Sequence, residues 1–223
     1  MAAKLWWIIQ KDMVSEYRAR QAWPRMLLLG ILVAFLISYQ LVLPPSQQQR
    51  AAASLCWLTI CLAAIFTLGQ SIEKERDDGC WDALLLYPIT PQSLYFAKLA
   101  VNAVNLAALQ LVVIPFFALV CDTPWLDVPA KLFTVAVLGN LGITSVGTLL
   151  GAMSSGTRQS QGLLVLLLLP MLVPVLLGAS EATRLIDQTH LSSTWWNWVQ
   201  LLGAFTTVYV TAGWMLFVFV TED

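Results

Sequence analysis

This chain of 223 residues has one histidine, His190, and it is followed by Trp195 and Trp196, with Trp198 just beyond. An imidazole beside flat aromatic walls is an arrangement that can ligate and enclose a haem iron. The same tryptophans equally suit the belt that amphipathic rings form at a membrane–water boundary, where a loop histidine is simply solvated. His190, Trp195 and Trp196 are therefore candidate haem contacts.

No second set of residues adds covalent or acid–base chemistry. An intramembrane enzyme needs a nucleophile with its base, or clustered His and carboxylates within the apolar segments. Here every Asp and Glu reads as a loop or terminal residue. There is no G-x-x-x-x-G-K-[ST] loop and no Gly-Lys pair. The chain therefore lacks the usual cradle for ATP phosphates, and any ATP-driven work must come from another chain. Cys56, Cys61, Cys80 and Cys121 have no CxxC spacing and no His placed to complete a metal set. They read as small apolar residues, and no metal site is expected.

The densest charge lies in EKERDDGCWDALLLYP, from Glu73 to Pro88, where seven of the ten residues from Glu73 to Asp82 are charged. Glu73, Glu75, Asp77, Asp78 and Asp82 outweigh Lys74 and Arg76. Gly79 can supply a turn or a helix end, and a short helix over 80–86 then presents Trp81, Leu84 and Leu85 on one side. Pro88 and Pro91 stop it. An apolar ridge rimmed by acid fits a basic-edged groove on a soluble partner, the ridge supplying affinity and the charges register. A solvated loop whose leucines fold back onto the bilayer has the same spacing, and the pattern leaves both readings open.

The elements that must position these residues are membrane helices. The chain is 58% hydrophobic and 11% charged, with ten Trp, whereas a soluble domain carries roughly 25% charged residues. Its net charge of -1 gives no bulk attraction to nucleic acid. About 20 apolar residues span the hydrocarbon core, and six stretches qualify: about 26–43, 51–72, 94–121, 132–153, 162–180 and 199–220. Lys4, Lys11, Arg18, Arg20, Arg25, Lys74, Arg76, Lys98 and Arg158 then fall on the side of the N-terminus, against Arg50, Lys131 and Arg184 on the other. Positive residues resist translocation, which puts both termini in the cytoplasm and 181–198 in an outside loop. Residues 1–24 read as an amphipathic helix in the membrane surface, with Lys4, Lys11, Ser15 and Arg18 on one stripe and Trp6, Ile9, Met13 and Tyr17 opposite. The fold class is thus all-α and polytopic, one transmembrane domain of six helices preceded by an interfacial helix.

Within the spans the polar residues are uncharged amides. Asn102, Asn105, Gln110 and Asn140 are expected to act as glue between helices rather than to line a path. Gly139, Gly142, Gly147 and Gly151 line the fourth span, the last two as a GxxxG pair that invites close helix approach. Pro170 and Pro174 remove backbone donors from the fifth span and are expected to kink it, as a hinge or a fixed bend.

The surface helix, the six spans and the loop E-x-E-x-D-D-G-x-x-D-x-L-L-L-x-P resemble permease subunits of ABC-2-type transporters. More narrowly, DDGCWDALLLYPIT (77–90), the following Lys98, and LLLLPMLVPVLL (166–177) are similar to the haem exporter protein B family, CcmB, of cytochrome c maturation. That resemblance implies that residues 73–88 are the coupling element for a separate, CcmA-like ATPase, which would carry the ATP. It also implies a second copy of the chain, CcmC-like and CcmD-like neighbours, a place in the inner membrane, and haem as cargo. The cargo would be either moved outward or released from a haem chaperone. The six-span plan and acidic loop are shared across the superfamily. A permease for lipid, polysaccharide or drug, and a non-transport scaffold for haem-handling subunits, therefore remain open.

Overall fold

The computed structural model describes residues 28, 30–36, 45–68, 90–154, 160–186 and 192–222, and the secondary structure among them is entirely helical. Five long helices follow one another: α1 (Pro45–Leu68), α2 (Pro91–Val120), α3 (Pro129–Ser154), α4 (Ser160–Arg184) and α5 (Ser192–Glu222). A single 3-10 turn, Pro124–Asp127, joins α2 to α3. Residues 30–36 form a further helical segment.

Proline sets several of the boundaries. Pro45, Pro91 and Pro129 each open a helix, where the missing N–H costs nothing because the first turn has no intrahelical acceptor for it. α2 ends where Asp122 takes a positive φ of 48°, a left-handed conformation that a short polar side chain tolerates. There Cys121 N–H donates back to Phe117 O at 2.9 Å and Thr123 N–H to Ala118 O at 3.0 Å, closing the helix end.

The helices run longer than the apolar stretches in the sequence suggest. α1 begins at Pro45 and takes in the polar Ser46–Arg50, because Gln and Arg are good helix formers once a proline has opened the turn. α4 continues through Arg184 and α5 starts at Ser192. The stretch 181–198, expected as an outside loop, is therefore mostly helix ends. Glu181 sits in the last turn of α4 and accepts from Arg184 Nε at 2.9 Å, an i,i+3 pair that favours continuing the helix. α4 also passes through Pro170 and Pro174 as one helix. The carbonyl of Met171, between them, accepts from Tyr209 Oη of α5 at 2.6 Å.

α3 is the centre of the bundle and touches each of the other four long helices. Its sequence explains why. Gly142, Thr144, Ser145, Gly147, Thr148 and Gly151 are small, and every residue from Gly142 to Ala152 is buried, which lets neighbouring backbones approach from all sides. Trp57 of α1 fills the space over Gly139, and Val175 of α4 comes within 2.9 Å of where a Cβ on Gly142 would stand. The segment 30–36 lies against α2, with Gly30 beside Leu109 and Val113 and Ala34 buried. The perimeter is apolar: Leu111, Leu119, Phe133, Met215 and Phe219 are all more than half exposed.

Candidate functional site

Described side chains gather at three levels along the bundle. At the level of the Val120 end, Lys131 from the first turn of α3 donates to Ile186 O beyond α4 at 3.2 Å. Its ammonium stands 5.2 Å from the centroid of the Trp195 ring, a cation–π geometry. Trp195 is buried in the first turns of α5 and meets Trp196 edge-on at 5.3 Å. The two candidate haem-contact tryptophans are thus helical rather than on a loop. Trp195 is engaged by a cation, while Trp196 is 55% exposed. His190 lies outside the described residues.

At mid-height, amides join α2 to α3. Asn140 Nδ2 donates to Ala103 O at 3.0 Å and to Gln110 Oε1 at 3.2 Å, and Gln110 Nε2 reaches Ala136 O at 3.4 Å. Thr206 Oγ1 of α5 donates to Leu138 O at 3.1 Å. Asn140 Oδ1 has no partner among the described residues. Beside these amides an apolar groove of about 550 Å³ opens between the helices, walled by Val104, Ala107, Leu111, Phe133 and Val137. It can hold an apolar chain, and its lining offers no acid–base pair.

At the Pro91 end, Tyr95, Lys98 and Asn102 fall at i, i+3 and i+7 on one face of α2, and all three are buried. Asn102 Nδ2 donates to Thr148 Oγ1 of α3 at 2.9 Å. Tyr95 packs on Phe217 of α5 at 5.5 Å, with its hydroxyl against Gly213. The charge pattern of the sequence groups Lys98 with the loop residues on the side of the N-terminus. Lys98 is instead 2% exposed, inside the bundle. Its hydropathy gave no hint of this, because a lysine two turns into a span also fits a side chain that snorkels to the surface.

The other predicted site residues divide cleanly. Gly147 and Gly151 are buried in α3, and tight side-chain contacts are seen at Gly30, Gly139, Gly142 and Gly213. Gly213 was missed because it stands alone, without a second small residue at GxxxG spacing. Glu73, Glu75, Asp77, Asp78, Gly79, Trp81, Leu84, Leu85 and Pro88 lie outside the described residues, as does Cys80. Cys56, Cys61 and Cys121 are buried.

Pro91–Val120, Pro129–Met153 and Ser193–Phe219 are each long and apolar enough to cross a membrane. Together with an apolar perimeter around a hydrogen-bonded amide interior, they define the class: a helical membrane protein. The family model described as CcmB protein matches residues 3–218, and the chain belongs to that family. It is 27% identical to Heme exporter protein B of Rhodobacter capsulatus over 140 residues, 60% of this chain and 62% of that protein. It is 27% identical to Heme exporter protein B of Pseudomonas aeruginosa over 168 residues, 74% of this chain and 75% of that one. With Heme exporter protein B of Haemophilus influenzae the figures are 25% over 169 residues, 75% and 74%. The match thus spans about three fifths of the Rhodobacter protein's length.

Proposed function

We propose that this chain is the permease subunit of an ABC transporter complex that serves haem export, or release of a haem chaperone, in cytochrome c biogenesis. The observation that carries the reading is the family match over residues 3–218, joined by relatives called Heme exporter protein B. The permease sits in the inner membrane with six spans, an interfacial N-terminal helix over 1–24 and both termini in the cytoplasm. It works as a dimer with two CcmA-like ATPase chains, beside CcmC-like and CcmD-like subunits.

In this reading the Pro91 end of the bundle faces the cytoplasm, and α2 is the helix that continues directly from residues 73–88. ATP binding and hydrolysis on the partner push on that run, where Glu73, Glu75, Asp77 and Asp78 set register and Trp81, Leu84 and Leu85 supply contact area. Gly79 and Pro88 bound the element. Gly147 and Gly151 keep α3 close to its neighbours while the helices tilt. Pro170 and Pro174 give α4 a place to bend.

The test combines deletion with purification. Removal of the gene is expected to abolish holo-cytochrome c while leaving envelope lipids and drug tolerance unchanged, and the tagged chain is expected to bring an ATPase out of detergent-solubilised membranes. Normal holo-cytochrome c in the deletion strain overturns the haem reading. A chain that purifies without any ATPase overturns the permease reading and leaves the scaffold.

A further inference from the structure

α4 carries Pro170 and Pro174 one turn apart within an unbroken helix. Pro174 has no N–H for the carbonyl of Pro170, and Pro170 has none for the carbonyl of Leu166, so two successive turns each lose a backbone bond. In lipid no water replaces those bonds, and donors for such a stretch come from neighbouring helices. It is also where a long helix bends most easily.

The two sides of that stretch are held differently. From Val175 onward α4 is fixed to three helices: Val175 packs on Gly142 of α3, Gly178 lies against Leu202 of α5, and Thr183 Oγ1 accepts from the Trp57 indole of α1. Between the prolines, Met171 O accepts from Tyr209 Oη of α5 at 2.6 Å. Tyr209 is itself well anchored. Thr206, three residues earlier, donates to Leu138 O of α3 at 3.1 Å, and the Phe205 ring lies 6.0 Å from the Tyr209 ring. The hydroxyl is thus carried by a part of α5 tied to the central helix, and it reaches into the weakest backbone of α4. A phenylalanine would fill the same half-buried space, so packing does not call for the hydroxyl, whereas the proline-weakened backbone does.

We propose that the Tyr209 hydroxyl is a latch on a hinge in α4. Bonded to Met171 O, it holds the Pro170–Pro174 stretch in the course the structure shows. Released, it lets the half of α4 before Pro170 swing while Val175–Arg184 stays fixed. One hydrogen bond between membrane helices is weak enough to break and reform as spans tilt, and removing it shifts a two-state balance about three- to fifteenfold. The idea rests on the permease reading above, in which tilting of the helices carries the output. Tyr209 touches neither ATP nor cargo. It is a positioning residue that acts through the backbone of α4.

The experiment uses the full chain in membranes with its ATPase, comparing wild type, Tyr209→Phe, Pro174→Leu and the double variant. Three quantities are read: subunit accumulated, ATP hydrolysed by the complex, and holo-cytochrome c formed. For Tyr209→Phe the subunit accumulates and hydrolysis continues, while holo-cytochrome c formed per ATP falls about three- to fifteenfold. Pro174→Leu returns an N–H to the carbonyl of Pro170 and stiffens the hinge. It lowers the same ratio, and adding Tyr209→Phe lowers it no further. A hydroxyl that only stabilises the fold lowers accumulation and leaves holo-cytochrome c per ATP at the wild-type value, and that result overturns the latch. Losses that multiply in the double variant overturn it as well, because the hydroxyl then acts elsewhere than on the hinge. Should Tyr209→Phe fail to accumulate, Pro174→Leu decides: a lowered ratio supports the proposal and a wild-type ratio overturns it. Failure of the underlying function looks different: wild type itself then brings no ATPase, or cytochrome c matures without the chain.

Discussion

The Trp57 indole occupies the space that a Cβ on Gly139 would need, so α1 and α3 meet with nothing but a glycine's hydrogen between ring and backbone. Gly139→Ala forces the ring to move in a close-packed interior, at a cost of about 1–3 kcal/mol. The expected outcome is a lower thermal midpoint in detergent. The smaller ring of Trp57→Phe should recover part of that loss, so the double variant should be more stable than the sum of the two single changes. Strict additivity would show that the two residues do not press on one another.

Trp57 is also held from its other side. Its Nε1 donates to Thr183 Oγ1 at 2.9 Å, and that hydroxyl donates onward to Ala179 O at 2.7 Å. Thr183→Val keeps the shape and leaves a buried indole N–H unpaired, which costs about 1–3 kcal/mol. Thr183→Ser keeps the acceptor and is expected to lose less. Equal losses in the two variants would mean that the methyl group, rather than the hydrogen bond, matters at this position.

Asn102 and Thr148 form a buried pair between α2 and α3. A double-mutant cycle with Asn102→Leu and Thr148→Val should return a coupling of about 0.6 kcal/mol and no more than about 1.7 kcal/mol, the range found for hydrogen bonds between membrane helices. The check is unfolding of the four variants in mixed micelles. A coupling of zero would leave the hydrogen bond without energetic weight and shift the burden of holding α2 onto Tyr95.

Reversal of charge at Asp77 and Asp78 tests the proposed docking run. Asp77→Lys/Asp78→Lys is expected to lose the ATPase on affinity purification and to stop cytochrome c maturation, with the subunit itself still present in the membrane. Normal assembly and normal maturation in that variant would remove the docking assignment.

Much of the bundle was legible from composition alone. Twenty-odd apolar residues in a row can only be a helix if they are to satisfy their backbone in lipid, and each long helix overlaps one of the expected apolar stretches, three of them being long and apolar enough to cross a membrane. The ends were less legible, because hydropathy reports where apolar residues stop, whereas a helix stops where its caps are. Ser46–Arg50 and Glu181–Arg184 are polar and yet helical. The amides at 102, 110 and 140 were recognisable as glue from their rarity. Their partners were not, since a hydroxyl or a backbone carbonyl satisfies an amide equally well.

The sequence by itself determined the class of protein, its family and the one run where charge concentrates. Those follow from solvent: lipid selects long apolar helices wherever they lie in the chain. Only the tertiary structure decided that Trp57, Val175 and Tyr95 press on Gly139, Gly142 and Gly213, and that Lys98 is inside. In a soluble helix the apolar stripe reveals the buried face. In a membrane helix both faces are apolar, so the inner one emerges only when neighbours such as Trp57, Thr148 and Phe217 are placed against it.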